Sequence, residues 1–241
     1  DDCTIDESAE PVRIGMEGPL TGPQDETGQA MLTGANFAAE KLNNECGILG
    51  RLVEIVPIDD QADPDVAETA ATAAVAEGLD GVVGSYNSGA GVRSLPVYIE
   101  AGLVPIRLTS ANTTEGLGFT LQPMTSQIAP TAATAITDWK GATSVAIIVD
   151  ETQEYTMLAA EAVESLLADA GVTVTSVSNI TPGASTYADT LATALADSPD
   201  LVYVVTYYPE AAAIAYDFEV SGTDSICMVD YGGFDSGFIF N

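Results

Sequence analysis

The stretch SVAIIVDETQEYTMLAAEAVESLLADAGVTVTSVSNI (144–180) decides the fold class. It reads as an apolar run, SVAIIVD (144–150), a polar turn, a helical segment over 155–170 and a second β-rich run, VTVTSVSNI (172–180). A near-continuous apolar strand has no face to give to water, so it belongs in a parallel sheet covered on both sides. The same grammar runs outward in both directions. Upstream, strands are predicted at VRIGMEG (12–18), RLVEIVPID (51–59), GVVGSY (81–86) and VPIRLTS (104–110). Downstream they are predicted at LVYVVTYY (201–208) and SICMVD (225–230). Helices are predicted near 28–44, 64–77, 89–101, 127–139, 186–197 and 209–221. The pattern breaks once, at GLGFTLQPMTSQIAP (116–130), where Gly, Pro and polar residues replace periodicity. The expectation is α/β: two similar doubly wound parallel-sheet lobes, 1–120 and 121–241, joined by a hinge that crosses around 118–126. Functional loops then gather at the carboxyl ends of the strands, around a cleft shared by the lobes.

Composition narrows the chemistry. The chain of 241 residues carries 36 Asp and Glu against 6 Lys and Arg, a net charge near −30. Nucleic-acid backbones need clustered Lys and Arg, so the balance argues against a nucleic-acid partner and equally against anionic lipid. It favours solubility, cationic partners and tolerance of high salt, where self-repulsion is screened. There is no histidine, which removes the His-dependent Ser and Cys relays and most zinc sites. Cys3, Cys46 and Cys227 are too widely spaced for a metal cluster, so neither a metal nor a cofactor is expected. Cys3 precedes the first strand and Cys46 lies in an early turn, where the two can bridge; Cys227 reads as a buried free thiol. That usage suits an exported protein. No apolar run reaches the roughly 18 residues of a membrane span. The opening DDCTIDESAEPVRIG has neither an initiator Met nor a leader, the look of a mature exported chain with a polar tether.

Several motifs invite chemistry and are better explained without it. GMEGPLTGP (15–23) lacks dinucleotide-loop spacing, and its prolines remove N–H donors that a pyrophosphate needs. Asp59, Asp60 and Asp150 stand at strand ends, but Asp63-Pro64 fits a helix start, and capping explains the acids better than a metal or a phosphoryl group. VVGSYNSGAG (82–91) puts Ser88 at a helix start, where Ser is a favoured cap and needs no ligand. The same N–H groups also seat a carboxylate. The next strand end, LTSANTTE (108–115), brings Ser110 and Asn112 as candidate partners, and Tyr155, Tyr207 and Asp230 occupy three further strand-end loops.

At this point the chain resembles the type I periplasmic solute-binding proteins, in the leucine–isoleucine–valine branch that serves ABC importers. The resemblance is carried by GPLTGPQDETG (18–28), EKLNN (40–44) and GILGRLVEIVPIDDQADP (47–64). It continues through VVGSYNSGA (82–90), LTSANTTEGL (108–117), VAIIVDETQEY (145–155), DLVYVVTYYPE (200–210) and MVDYGG (228–233). It implies that Ser88 and its neighbouring N–H groups, Gly89 included, hold the α-carboxylate of an amino acid. Ser110, Ala111 and Asn112 would form the loop that touches both carboxylate and ammonium. Asp230 would pair with the α-ammonium, with Tyr231 its one-residue alternative in alignment. Tyr155 and Tyr207 would close over the ligand from the second lobe. The implied partners are a small-molecule ligand and a membrane ABC permease, in a periplasmic or cell-surface location with a lipid anchor as one form of attachment.

Departures from the family pattern shape the expectation. Asn112 stands where Thr is usual, and Thr27 where an aromatic ring often meets the ligand side chain, which opens the pocket. Asp25 and Glu26 beside it would favour a cationic side chain. Members usually run further, returning to the first lobe, so the chain is expected to lack the final crossings. Two other binders stand beside this reading: a ligand-sensing domain, and a receptor for an aromatic or aliphatic acid. An enzyme would have to work with carboxylates or with Lys41 or Lys140, neither of which lies at a strand-end loop, so no catalytic residue is assigned.

Overall fold

The computed structural model describes residues 4–6 and 8–234 and divides the chain into two compact units, Asp1–Gln122 and Pro123–Asn241. The first unit runs β1 (Val12–Gly18), α1 (Asp25–Asn44), β2 (Val53–Asp59), α2 (Pro64–Ala76) and β3 (Gly81–Val83). It continues through α3 (Ser88–Glu100), β4 (Ile106–Arg107) and β5 (Phe119–Thr120). The second runs α4 (Thr125–Thr134), β6 (Ser144–Asp150), α5 (Glu154–Asp169) and β7 (Thr173–Ile180). It ends α6 (Ala188–Ala194), β8 (Leu201–Val205), α7 (Glu210–Ser221) and β9 (Ile226–Val229).

Both sheets are parallel, ordered β2-β1-β3-β4-β5 and β7-β6-β8-β9. In each, the first strand is central: the chain steps to one side, then returns to the other. The loops after β1 and β3 therefore diverge, as do those after β6 and β8, and such switch points are where open α/β sheets hold ligands. The apolar runs fill the cores. Ala146 and Ile148 of β6 pack with Val202 and Val204 of β8, Leu191 of α6 and Ile214 of α7. In the first unit, Ile58, Ala71, Val82 and Tyr98 form the equivalent cluster. Each buried aliphatic side chain of this kind stabilises by about 2 kcal/mol. Asp63 caps α2, accepting from the Asp65 and Val66 amides at 2.8 and 3.4 Å, with Pro64 behind it as the first helical residue.

The structure departs from the sequence-based expectation in local ways. Phe119–Thr120 pairs with β4 as a fifth strand inside the segment read as irregular, because two residues carry no periodicity. β3 stops at Val83, since Gly84 takes φ +102°, outside strand conformation. The last turn of the helix predicted to reach 139 is a π turn, Ala135–Trp139, which leaves Trp139 71% exposed. Cys46 is disulfide-bonded, while Cys3, the expected partner, lies outside the described residues. Cys227 is a free thiol but only half-buried, because β9 is an edge strand rather than a central one. Among the described residues no helix is long and apolar enough to cross a membrane.

Candidate functional site

In the first unit the site is built on the turn that follows β3. Gly84 is required there: a Cβ would lie 2.1 Å from the Glu17 carbonyl oxygen, and φ is positive. The turn delivers Asn87 in extended conformation to the start of α3, but no side chain caps that helix. Instead the Asn87 amide Nδ2 donates to Gln24 Oε1 at 3.0 Å, tying the starts of α1 and α3 together. The first-turn N–H groups of α3, with the positive end of the helix dipole, are thus not engaged by a capping side chain.

Ser88 joins this turn to the loop after β4. Its Oγ accepts from the Ser110 amide at 3.2 Å and from the Ala111 amide at 3.1 Å. Ser88, Gly89, Ser110 and Ala111 are all buried, so four of the predicted residues come together. Asn112 follows directly but is exposed, opening a short 3₁₀ turn. Thr27 is half-buried in the first turn of α1, one turn after Gln24. Arg107 was legible only as part of a strand, yet it organises this loop. Its Nη1 donates to the Thr109 carbonyl at 2.8 Å, Thr109 Oγ1 at 2.7 Å and Thr114 Oγ1 at 3.0 Å, and its Nε to the Leu117 carbonyl at 3.1 Å.

The helix cap belongs to Asp63, whereas Asp59 and Asp150 at the strand ends hold turns and cap no helix. Asp59 accepts from Thr21 Oγ1 at 2.6 Å and from the Thr21 and Gln61 amides at 3.1 Å each. Asp150 accepts from Thr152 Oγ1 at 2.7 Å. Among the described residues no group of three ligating side chains could hold a metal ion.

In the second unit the strand ends converge on Asp230, which follows β9 and is buried. Its Oδ2 accepts from the Tyr155 hydroxyl at 2.7 Å and from the Gly232 amide at 3.1 Å, and its Oδ1 from the Tyr203 hydroxyl. Burial, together with the adjacent Asp230 charge, pushes both phenols well above their ordinary pKa, so they remain donors. The Tyr155 and Tyr207 rings lie 6.0 Å apart at 47°, a favourable tilted pair. Three predicted residues are therefore neighbours, and Tyr203, hidden in an otherwise apolar strand, is the member that sequence reasoning missed. Its signal was a buried hydroxyl that needs a partner. Tyr231 is 41% exposed and lines a groove of about 370 Å³ with Ile128, Trp139, Tyr203, Met228 and Asp230.

Residues 11–238 match the family described as periplasmic binding protein. A Leu/Ile/Val-binding protein of Escherichia coli is 28% identical over 219 residues, which is 89% of this chain and 59% of that relative. The chain thus spans about six-tenths of the curated relative's length. A Streptococcus pneumoniae branched-chain amino acid substrate-binding protein, LivJ, solved with isoleucine, superposes with a TM-score of 0.83 at 20% identity, over 96% of this chain and 67% of its own. A Rhodopseudomonas palustris solute-binding protein solved with benzoate gives 0.82 at 16% identity, over 94% and 64%.

Proposed function

The chain belongs to the periplasmic binding protein family, and from that premise we propose an extracytoplasmic, non-enzymatic binder of one small carboxylate. In this reading it serves an ABC importer, and the permease recognises its liganded state. The ligand is an amino acid, branched-chain or related. The observation that carries the proposal is the uncapped, buried start of α3 stitched by Ser88 to the Ser110 and Ala111 amides. Ser88, Gly89, Ser110 and Ala111 take the carboxylate, and Asn112 lies at the edge of the seat. Thr27, Tyr155 and Tyr207 meet the remainder of the ligand. Charge-assisted hydrogen bonds to a carboxylate shielded from water are the strong kind.

The ammonium end draws on Asp230. A carboxylate offers about four lone-pair sites, and two tyrosines and one amide occupy three of them. One remains for an ammonium. The same saturation favours a second reading, a carboxylate without an amine, because Asp230 needs no cation to be stable where it is. Mass spectrometry of small molecules released by denaturing the purified protein separates the two. A stoichiometric α-amino acid supports the first reading; an acid lacking an amine supports the second. A released compound with no carboxylate at all would remove the Ser88 assignment.

A further inference from the structure

Beneath the Gly84–Ser88 turn lies a set of polar groups that ligand recognition does not use. Glu17, at the end of β1, is fully buried. Its Oε1 accepts from Ser94 Oγ of α3 at 2.7 Å, and its Oε2 has no hydrogen-bond partner. Asp60, which follows β2 and donates its amide to the Gly18 carbonyl at 3.0 Å, is equally buried. One of its oxygens accepts from the Ala62 amide at 2.9 Å; the other, Oδ2, has no partner. The Tyr98 hydroxyl of α3 and the Ser85 hydroxyl of the turn both approach Glu17, although Tyr98 reaches no hydrogen-bond geometry. Glu17 takes part in none of the ion pairs among the described residues.

A carboxylate so placed would be a buried charge with one donor, facing a second acid. A neutral carboxylic acid is the form that fits, with Ser94 donating to Oε1 and the proton on Oε2. Burial, reinforced by Asp60, pushes the Glu17 carboxyl up to about 8, and Asp60 itself is pushed by burial up to about 6. Tyr98 is raised by burial and by Glu17, so it stays neutral throughout.

We propose that Glu17 is a positioning residue that holds a proton under the anion seat, and that losing this proton loosens the Gly84–Ser88 turn. The geometry supplies the route. Ser85 has one hydroxyl proton, which it donates to the Asn87 carbonyl at 3.2 Å. An ionised Glu17 lies within reach of that hydroxyl and competes for it, and Asn87 is the residue that launches α3 and Ser88. Glu17 thereby makes the seat dependent on pH without touching the ligand. The link to ligand affinity rests on the carboxylate reading above; the effect on the turn does not.

Two readouts test this on the unliganded and liganded chain. The first is hydrogen exchange of the peptide covering residues 84–91, comparing wild type with Glu17→Gln at equal pH, so that intrinsic exchange cancels. We expect equal protection at about pH 6.5 and exchange at least about tenfold faster in wild type at about pH 9, where about nine-tenths of the molecules have lost the Glu17 proton. Equal protection at both pH values overturns the proposal. Asp60→Asn removes the neighbouring charge that helps hold the proton on Glu17 and should move the onset to lower pH in wild-type Glu17 background; an unmoved or raised onset also overturns it. The second readout is calorimetry with leucine and with benzoate as probes. Affinity should fall about tenfold between pH 7 and 9 in wild type and hold in Glu17→Gln, the equal-pH comparison cancelling titration of leucine's own amine. Flat wild-type affinity overturns the link. If neither probe binds, the carboxylate reading fails while the exchange result still decides the role of Glu17.

Discussion

In the second unit, Asp230 is buried after β9 with three donors on its two oxygens. In the first unit, Glu17 is buried at the end of β1 with one donor, and Asp60 beside it also keeps an oxygen without a partner. Both acids lie at strand ends of parallel sheets, so topology does not separate them. What separates them is the supply of donors. Tyr155, Tyr203 and a glycine amide reach Asp230, and the second unit supplies partners to both oxygens of the acid it buries. Around Glu17 only Ser94 donates, because Ser85 gives its proton to the Asn87 carbonyl and Tyr98 falls short of hydrogen-bond geometry, and the first unit buries an acid instead. One arrangement fixes aromatic rings in place; the other responds to protons.

The comparison can be broken most forcefully through pH. With Glu17 at 4.5 when unfolded and about 8 when folded, its contribution to stability is complete below about pH 4.5 and is lost as pH rises toward 8. Asp60 adds a smaller loss of the same sign, between its ordinary 3.8 and about 6. Wild type should lose about 4 kcal/mol relative to Glu17→Gln between pH 5 and pH 9, read by urea denaturation of both across that range. Parallel curves would mean that Glu17 ionises freely in the fold. Asp230→Ala comes next. It leaves the Tyr155 and Tyr203 hydroxyls buried without an acceptor and should cost about 3 kcal/mol, read by the same urea denaturation. Ser88→Ala removes the acceptor of two amides and should cost about 1.5 kcal/mol, and it should weaken any carboxylate ligand in calorimetry. Tyr203→Phe takes away one of Asp230's three donors and should cost about 1 kcal/mol. If its denaturation midpoint instead matches that of Asp230→Ala, the tyrosines do not share the acid in the way described.

Most of the architecture was legible because it rests on long patterns. β6 and β8 are near-continuous apolar runs, and Asp63-Pro64 announces α2 by its chemistry. What escaped was short or single. Phe119–Thr120 is two residues long, and its pairing with β4 is fixed by tertiary contact. Ser88 was legible as a helix-start residue because capping chemistry is local, although Asn87 takes the cap position and Ser88 the first helical one, whereas the side chains that support this turn were not. Arg107, Tyr203 and Glu17 each occupy one position in a strand; Arg107 acts on the loop that follows it, and Tyr203 and Glu17 act on elements distant in sequence. A polar residue within an apolar strand says that a partner is needed, but only the folded chain says which. Glu17 stood in a motif weighed for its glycines, and the acid between them passed as incidental.

The π turn at the end of α4 has a practical consequence in spectroscopy. Trp139 is the chain's one tryptophan, and this turn carries it onto the wall of the groove that also holds Tyr231 and Met228. Indole emission therefore reports on the groove of Pro123–Asn241 in which Trp139 sits, while Glu17 and Ser88 belong to Asp1–Gln122. Circular dichroism follows the helices of both units. Recorded together during unfolding, the two signals separate at any pH where one unit gives way before the other, so the wild-type chain carries its own unit-specific label.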